Sequence, residues 1–153
     1  VEFNIRLFEH IRSAYFTSNI YYHYIYNPNS ISAKHNEQNH YFVIKCFEEI
    51  QKQISVSDNK DSLEMLFYNR FAYVVVAAAI SGYFSPTNKE KYKVQKKKYL
   101  LYLNQTLVKN TLLNVKAKDM ELQRAVVLFL IKRHCFFPLK LLAKIRYKQK
   151  HGG

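Results

Sequence analysis

The stretch FAYVVVAAAISGYF, residues 71–84, decides how this chain folds, because it has no charged residue on any side. Fourteen helical residues at ~1.5 Å each span about 21 Å, less than the roughly 30 Å hydrocarbon core of a bilayer. A helix that is apolar all round and too short to cross a membrane is typical of the middle of a bundle. We therefore predict a buried central helix over residues 62–82, ending at Gly82 before Pro86.

Apolar residues recur at helical spacing on both sides of this stretch. A second run, AVVLFLI at residues 125–131, is also apolar on all sides and is predicted to be buried. The 153 residues include only three Gly and three Pro, which favours long helices over a turn-rich β fold. The predicted bundle has five helices, over residues 33–56, 62–82, 88–113, 119–134 and 138–150.

The N-terminal segment has a different pattern. Residues 2–12 have the charge and apolar spacing of a helix, and residues 14–17 and 20–26 alternate aromatic and β-branched side chains like two short strands. Pro28 cannot donate to a sheet and ends the second strand. The predicted fold class is therefore mainly α, a helical bundle preceded by an N-terminal helix and a short β-hairpin.

The net charge of +13 is concentrated in the C-terminal half. Residues 1–85 carry 7 Lys and Arg against 8 acidic residues, whereas residues 86–153 carry 17 against 3. An anionic partner is therefore expected to bind the C-terminal half.

The last predicted helix interleaves apolar and basic residues, a pattern of helices that lie on an anionic bilayer surface. Its apolar members are Phe136, Leu139, Leu142 and Ile145, and its basic members are Lys140, Lys144, Arg146, Lys148 and Lys150. The same pattern also fits a solvated helix face that packs on its neighbours. Nucleic acid is a weaker expectation, because neither a recognition helix nor a sheet-borne aromatic platform is legible.

Residues that could perform catalysis within this chain are few. With three glycines, two of them terminal, neither a P-loop nor a dinucleotide fingerprint is possible. The 11 acidic and six His residues form no metal-binding motif, so we assign no catalytic or metal-binding residue. Cys46 and Cys135 lie in predicted helices without a CxxC partner, and we predict two buried free thiols in a reducing compartment.

The segment EFNIRLFEHIRSAYFTSNIYYHYIYNPNSIS, residues 2–32, resembles the part that closes the catalytic domain of bacterial family-two glycosyltransferases with the GT-A fold. In that family a helix follows a Glu-Asp motif, and a short strand then precedes a strand of the form Tyr-x-Tyr-x-x-x-x-x-Ser-x-Ser. Residues 2–12 match the helix and residues 14–16 the short strand. The final pattern is matched by Tyr22, Tyr24, Ser30 and Ser32.

The resemblance implies a parent enzyme that transfers a sugar from a nucleotide-sugar donor to a cell-surface polysaccharide or glycan acceptor. Such a parent needs a divalent cation at its Asp-x-Asp motif and a carboxylate base in its Glu-Asp motif, and both motifs precede the matched region. This chain, which begins at Val1, is accordingly expected to be an excised and inactive C-terminal part, with residues 1–32 closing the catalytic domain and residues 33–153 forming a helical domain. His23, Tyr24, Asn27, Asn29, Ser30 and Ser32 are implied either to line the acceptor side of the full enzyme or to be structural.

The expected partners are the N-terminal catalytic domain, an anionic inner-membrane surface and a second copy, since a hairpin parted from its sheet exposes an edge. The expected location is cytoplasmic and peripheral at the inner face of the plasma membrane. The alternative function is a stand-alone basic helical module that binds an anionic membrane or a protein partner.

Overall fold

The computed structural model describes residues 11–13, 15, 17–19, 22, 37–116 and 120–151. Of residues 150 and 151 it describes the backbone only. The described part of the chain is mainly helical, as predicted. Its helices are α1 (Glu37–Ser55), α2 (Lys60–Ala77), α3 (Tyr92–Leu103), α4 (Thr106–Asn114), α5 (Leu122–Lys132) and α6 (Phe136–His151), and a π-helical segment (Ala78–Tyr83) continues α2.

The predicted hairpin is not confirmed. Most of residues 14–26 lie outside the described part, as does the predicted helix up to residue 10. The described positions Tyr15, Thr17 and Tyr22 are not in strand conformation, although the predicted turn has a local bond from the Asn19 amide to the Thr17 hydroxyl at 3.1 Å. Alternating aromatic residues favour a strand only where a neighbouring strand pairs with them. An isolated two-stranded hairpin is only marginally stable in water.

The predicted central helix is confirmed as the interior of the bundle. α2 and its π segment contact α1, α3, α4, α5 and α6 between them. Phe71, Ala72, Val75 and Ala79 are fully buried, which removes their apolar surface from water at about 25 cal/mol per Å².

The prediction that this helix is too short to cross a membrane is wrong, because the folded helix is longer than residues 71–84. The helical run from Lys60 to Tyr83 has 24 residues, and by length and composition it is the one described helix that could cross a membrane. Half of its most apolar 18-residue window is buried within the bundle, which is also how the core helix of a bundle appears. Its burial, and not its length, supports an interior position.

The π segment ends the central helix one residue later than the predicted stop at Gly82. The Phe84 amide donates to the Ala79 carbonyl at 3.0 Å, the wider i→i+5 spacing of a π turn. Phe84 itself is buried, with its ring centroid 5.3 Å from Tyr99 and 5.8 Å from Phe136.

α1 covers one side of α2 with the apolar stripe that its spacing predicts. Ile44, Phe47 and Ile50 are buried, and the Phe47 ring lies 4.8 Å from that of Phe71. Tyr41, three residues before Ile44, has the spacing of this stripe but is exposed and does not belong to the core.

The predicted long helix over residues 88–113 is wrong, because two helices occupy that range. The chain breaks at Asn104 and Gln105, where Gln105 is extended with ψ 138°, and α4 then begins at Thr106. Asn and Thr side chains compete for backbone hydrogen bonds, which weakens the helix where they are close together. The break divides the predicted helix into two short ones, so the described part of the bundle has six α-helices where five were predicted.

α3 also begins four residues later than predicted, because residues 85–91 form a bonded connection. The Asn88 side chain donates to the Tyr83 carbonyl at 2.9 Å, and the buried Gln95 side chain donates to the Asn88 carbonyl at 3.1 Å. The Ser85 and Thr87 hydroxyls are 2.8 Å apart. These bonds satisfy polar groups that would otherwise be buried unpaired beside the core.

A tight turn over residues 133–135 joins α5 to α6. His134 has a left-handed backbone, with φ 55°, which is uncommon outside glycine. The Arg133 amide donates to the Phe129 carbonyl at 3.0 Å and the Cys135 amide to the Leu130 carbonyl at 2.9 Å. The helix predicted to begin at residue 138 begins at Phe136, so Pro138 lies in the first turn of α6, where a missing amide proton costs no helical bond.

Candidate functional site

The glutamates of the described bundle are largely engaged in ion pairs. Glu48 pairs with Lys45 at 2.7 Å, and Glu49 with Lys52 at 2.8 Å. Lys98 bridges Glu37 and Glu90, linking the start of α1 to the connection before α3. Glu121 lies 3.3 Å from Arg124. These pairs are structural links at the surface.

Metal-binding groups do not gather in the described part of the bundle, where no three His, Cys, Asp or Glu side chains come together. A groove of about 440 Å³ between α1 and α2 is lined by carboxylates and ammonium groups alike, including Glu48, Glu64, Lys52 and Lys60. This mixture gives the groove no clear preference for an anion or a cation.

Three buried tyrosines, Tyr83, Tyr99 and Tyr102, form an aromatic cluster in the bundle. The Tyr99 hydroxyl donates weakly to the Val75 carbonyl at 3.4 Å, and the Tyr102 hydroxyl has no partner among the described residues. Burial raises the pKa of Tyr83 to about 12, and it also raises the pKa of Tyr99 and of Tyr102. The raised pKa values make these hydroxyls weaker acids, and the burial of all three rings makes the cluster part of the core.

The apolar face predicted for the last helix is turned mostly inward. Phe136 and Leu139 are buried in the core, Leu142 is half-buried, and only Ile145 of that set is exposed. The interpretation of Phe136 and Leu139 as bilayer-facing residues is therefore wrong. Their spacing is that of the stripe which packs α6 on α5 and on the π segment.

A second apolar row, missed in the sequence, faces outward on α6. It consists of Phe137, Leu141 and Ile145, which recur every four residues and are 61%, 46% and 54% exposed. The spacing i, i+4, i+8 places them on one line of the helix surface. The buried stripe already explained the amphipathic period of this segment, so only the exposures reveal a second row.

A row of lysines runs beside that apolar row. Lys140, Lys144 and Lys148 each follow one of its members by three residues, which makes them surface neighbours of the apolar row on the helix. Lys144 and Lys148 are exposed and Lys140 is half-buried. Arg146 is exposed as well, and the side chain of Lys150 lies outside the described part.

Contacts at the start of α6 fix the orientation of both rows. The Phe137 and Tyr92 rings meet edge to face at 6.3 Å, and the Lys140 ammonium lies 5.3 Å from the Tyr92 ring centroid. The neighbouring Phe136 stacks on Phe84 in the core. Phe136 is anchored in the core, and the exposed row that begins at Phe137 runs from the edge where α6 meets Tyr92 of α3.

α5 also has an outward apolar row. Leu128 and Ile131 are fully buried, whereas Leu122, Val126 and Phe129 are 80%, 45% and 57% exposed. The prediction that the run AVVLFLI is buried on all sides is therefore only half right. Neighbours cover one side of this helix, and its other side remains apolar and open.

The acceptor-side residues implied by the resemblance cannot be placed. His23, Tyr24, Asn27, Asn29, Ser30 and Ser32 all lie outside the described residues. The two cysteines are free, as predicted, but Cys46 is half-buried and Cys135 is exposed at the α5–α6 turn, so the prediction of two buried thiols is wrong for Cys135.

The chain was compared with protein families, curated proteins and solved structures. No family model, no curated protein and no solved structure matches it.

Proposed function

We propose that this chain is the C-terminal part of a glycosyltransferase and that its helical bundle docks the enzyme onto an anionic membrane surface. The first half of the proposal rests on the resemblance of residues 2–32. The second half rests on one observation, the exposed row of Phe137, Leu141 and Ile145 with the lysine row beside it.

The two rows suit a bilayer surface because they combine two kinds of attraction. Apolar side chains at the boundary between headgroups and acyl chains contribute through burial, and each nearby Lys adds about 1 kcal/mol with anionic lipid. Long lysine side chains extend their ammonium groups toward phosphates while their methylene stems follow the apolar row. Three lysines therefore supply about 3 kcal/mol of electrostatic attraction.

In this proposal the sugar-transfer chemistry belongs to the N-terminal catalytic domain of the parent. That domain holds the nucleotide-sugar donor and the divalent cation, and its acceptor is a cell-surface polysaccharide or glycan. The bundle keeps the enzyme peripheral at the cytoplasmic face of the membrane, supports the acceptor side and can pair with a second copy. Residues 33–153 are then a docking domain with no catalytic role.

Vesicle binding tests the docking half. The variant Lys140→Gln/Lys144→Gln/Lys148→Gln should bind vesicles of anionic phosphatidylglycerol about 100-fold more weakly, since three lysines contribute about 3 kcal/mol. The control, Lys93→Gln/Lys97→Gln/Lys109→Gln, removes the same charge from exposed positions on α3 and α4. Equal losses in both variants would show that net charge alone drives binding and would refute the assignment to α6.

The parent enzyme requires a separate test. The source reading frame upstream of Val1 should encode a domain with an Asp-x-Asp motif and, directly before the first helix, a Glu-Asp motif. The purified 153-residue chain should transfer no sugar. An initiator Met immediately before Val1 would refute the glycosyltransferase half and leave a stand-alone basic module.

A further inference from the structure

The turn between α5 and α6 carries two large exposed rings beside cations. Phe129, in the last turn of α5, is 57% exposed, and Phe137, in the first turn of α6, is 61% exposed. Between them Lys132, Arg133 and Cys135 are exposed as well. Of this segment, Ile131 and Phe136 are directed into the core, at 0% and 2% exposure.

We propose that this turn is a membrane-inserting tip, in which Phe129 and Phe137 enter the interface of an anionic bilayer while Lys132 and Arg133 bind lipid phosphates. The inference rests on the proposed docking of α6 and extends it to α5, which the sequence pattern assigned to the core. It also predicts a mode of binding, insertion of rings at one end of a helix pair in addition to adsorption of one helix face.

Charge identifies the occupant as anionic lipid. Residues 122–153 contain eight Lys and Arg residues and no Asp or Glu. At the tip, the Arg133 guanidinium lies 5.7 Å from the Phe129 ring centroid, so a cation and an apolar ring share one small surface. An anionic bilayer offers the matching pair of groups, because its phosphates bind cations and its acyl chains accept apolar rings. A second copy that approached through its own tip would bring another set of cations and would be repelled.

The backbone holds the tip in shape before any ligand binds. The two turn hydrogen bonds tie Arg133 and Cys135 back onto the last turn of α5. On the other side, Phe136 packs against Phe84 and Tyr99, with ring centroids 5.8 and 5.6 Å apart. Because the tip is fixed on both sides, it loses little conformational entropy on insertion. Less of the free energy gained by burying its apolar rings is then spent on ordering the tip.

Tryptophan scanning tests the inference without background, because the chain contains no Trp. Three single variants of the full chain are compared: Phe129→Trp at the tip, Ile145→Trp on the distal part of α6, and Phe42→Trp at an exposed site on α1 as control. Each is mixed with phosphatidylglycerol vesicles whose acyl chains carry bromine, which quenches Trp only at contact with the acyl region.

We expect quenching and a blue shift for Phe129→Trp and Ile145→Trp, and neither for Phe42→Trp. Quenching at Ile145→Trp alone would overturn the inserting tip and leave α6 docking intact. Binding without quenching at either site would overturn both. A blue shift of Phe129→Trp that depends on protein concentration and needs no vesicles would assign the tip to a second copy and overturn the inference.

A loss-of-function variant gives an independent measure. Phe129→Ser should weaken vesicle binding about fivefold to tenfold, as expected when one aromatic side chain no longer leaves water. Val56→Ser, at an exposed residue between α1 and α2, is the matched control and should bind like the unmodified chain. Circular dichroism checks that both variants fold, and unchanged binding by a folded Phe129→Ser protein would overturn the inference.

Discussion

Two runs of this chain lack charged residues and have different surroundings. Residues 71–84 are enclosed by five other helices, while residues 125–131 are covered on one side only and leave Val126 and Phe129 open. The difference lies in the number of neighbours that the fold gives each helix. Apolar composition therefore shows that burying a helix surface is favourable. It does not show which neighbour buries that surface.

The same substitution in both runs gives the largest effect. Phe71→Ala should lower the free energy of unfolding by about 3–5 kcal/mol, because it opens a cavity at a fully buried position. Phe129→Ala should cost less than about 1 kcal/mol, because more than half of its ring is already in water. Urea denaturation followed by circular dichroism measures both. Similar losses of unfolding free energy in the two variants would show that the two runs are equally buried.

The second effect concerns the backbone that shapes the exposed region. His134→Val should destabilise the fold by about 1–2 kcal/mol, since a β-branched residue is strongly disfavoured at φ 55°. His134→Gly should be neutral or slightly stabilising, because glycine takes this conformation freely and offsets the lost packing on Phe136. Thermal unfolding distinguishes them, and equal melting temperatures would show that the turn does not depend on its left-handed residue.

The third effect is the pH dependence of stability that the buried tyrosines of the interior produce. Burial holds the pKa of Tyr83 near 12, against about 10 in an unfolded chain, so above about pH 10 the unfolded state loses protons that the folded state keeps. Lys98, whose pKa is raised mainly by its hydrogen bonds to Glu37 and Glu90, acts in the same direction. Stability should therefore fall as pH rises, by about 1–2 kcal/mol for Tyr83 alone near pH 12.

Tyr102→Phe should reduce that alkaline loss and also stabilise the chain by about 1 kcal/mol at neutral pH. It removes a buried hydroxyl that has no partner within the described part of the bundle, and leaving such a group unpaired costs free energy. Tyr41→Phe, at an exposed ring, is the control and should change little. Urea midpoints near pH 8 and pH 11 provide the measurement, and a destabilised Tyr102→Phe protein would show that the hydroxyl is bonded.

Much of the bundle could be predicted because apolar period and helix-breaking residues are local signals. The stripe of Ile44, Phe47 and Ile50 and the interior position of Phe71 follow from them. The break at Asn104 and Gln105 could not be predicted, because neither residue is a strong helix breaker by itself. The lysines of α6 were found by composition, whereas the row of Phe137, Leu141 and Ile145 depends on which side the core occupies.

The π segment has a consequence for aligning this sequence with any other. A π turn is equivalent to one residue inserted into an α-helix, and the residues after it are rotated relative to a continuous helical count. Tyr83 and Phe84 reach their positions beside Tyr99 through that rotation. A related chain lacking one residue near exposed Ser81 would restore regular helix and keep the same side chains facing this cluster. Comparisons across this point therefore need a one-residue gap to keep the core in register.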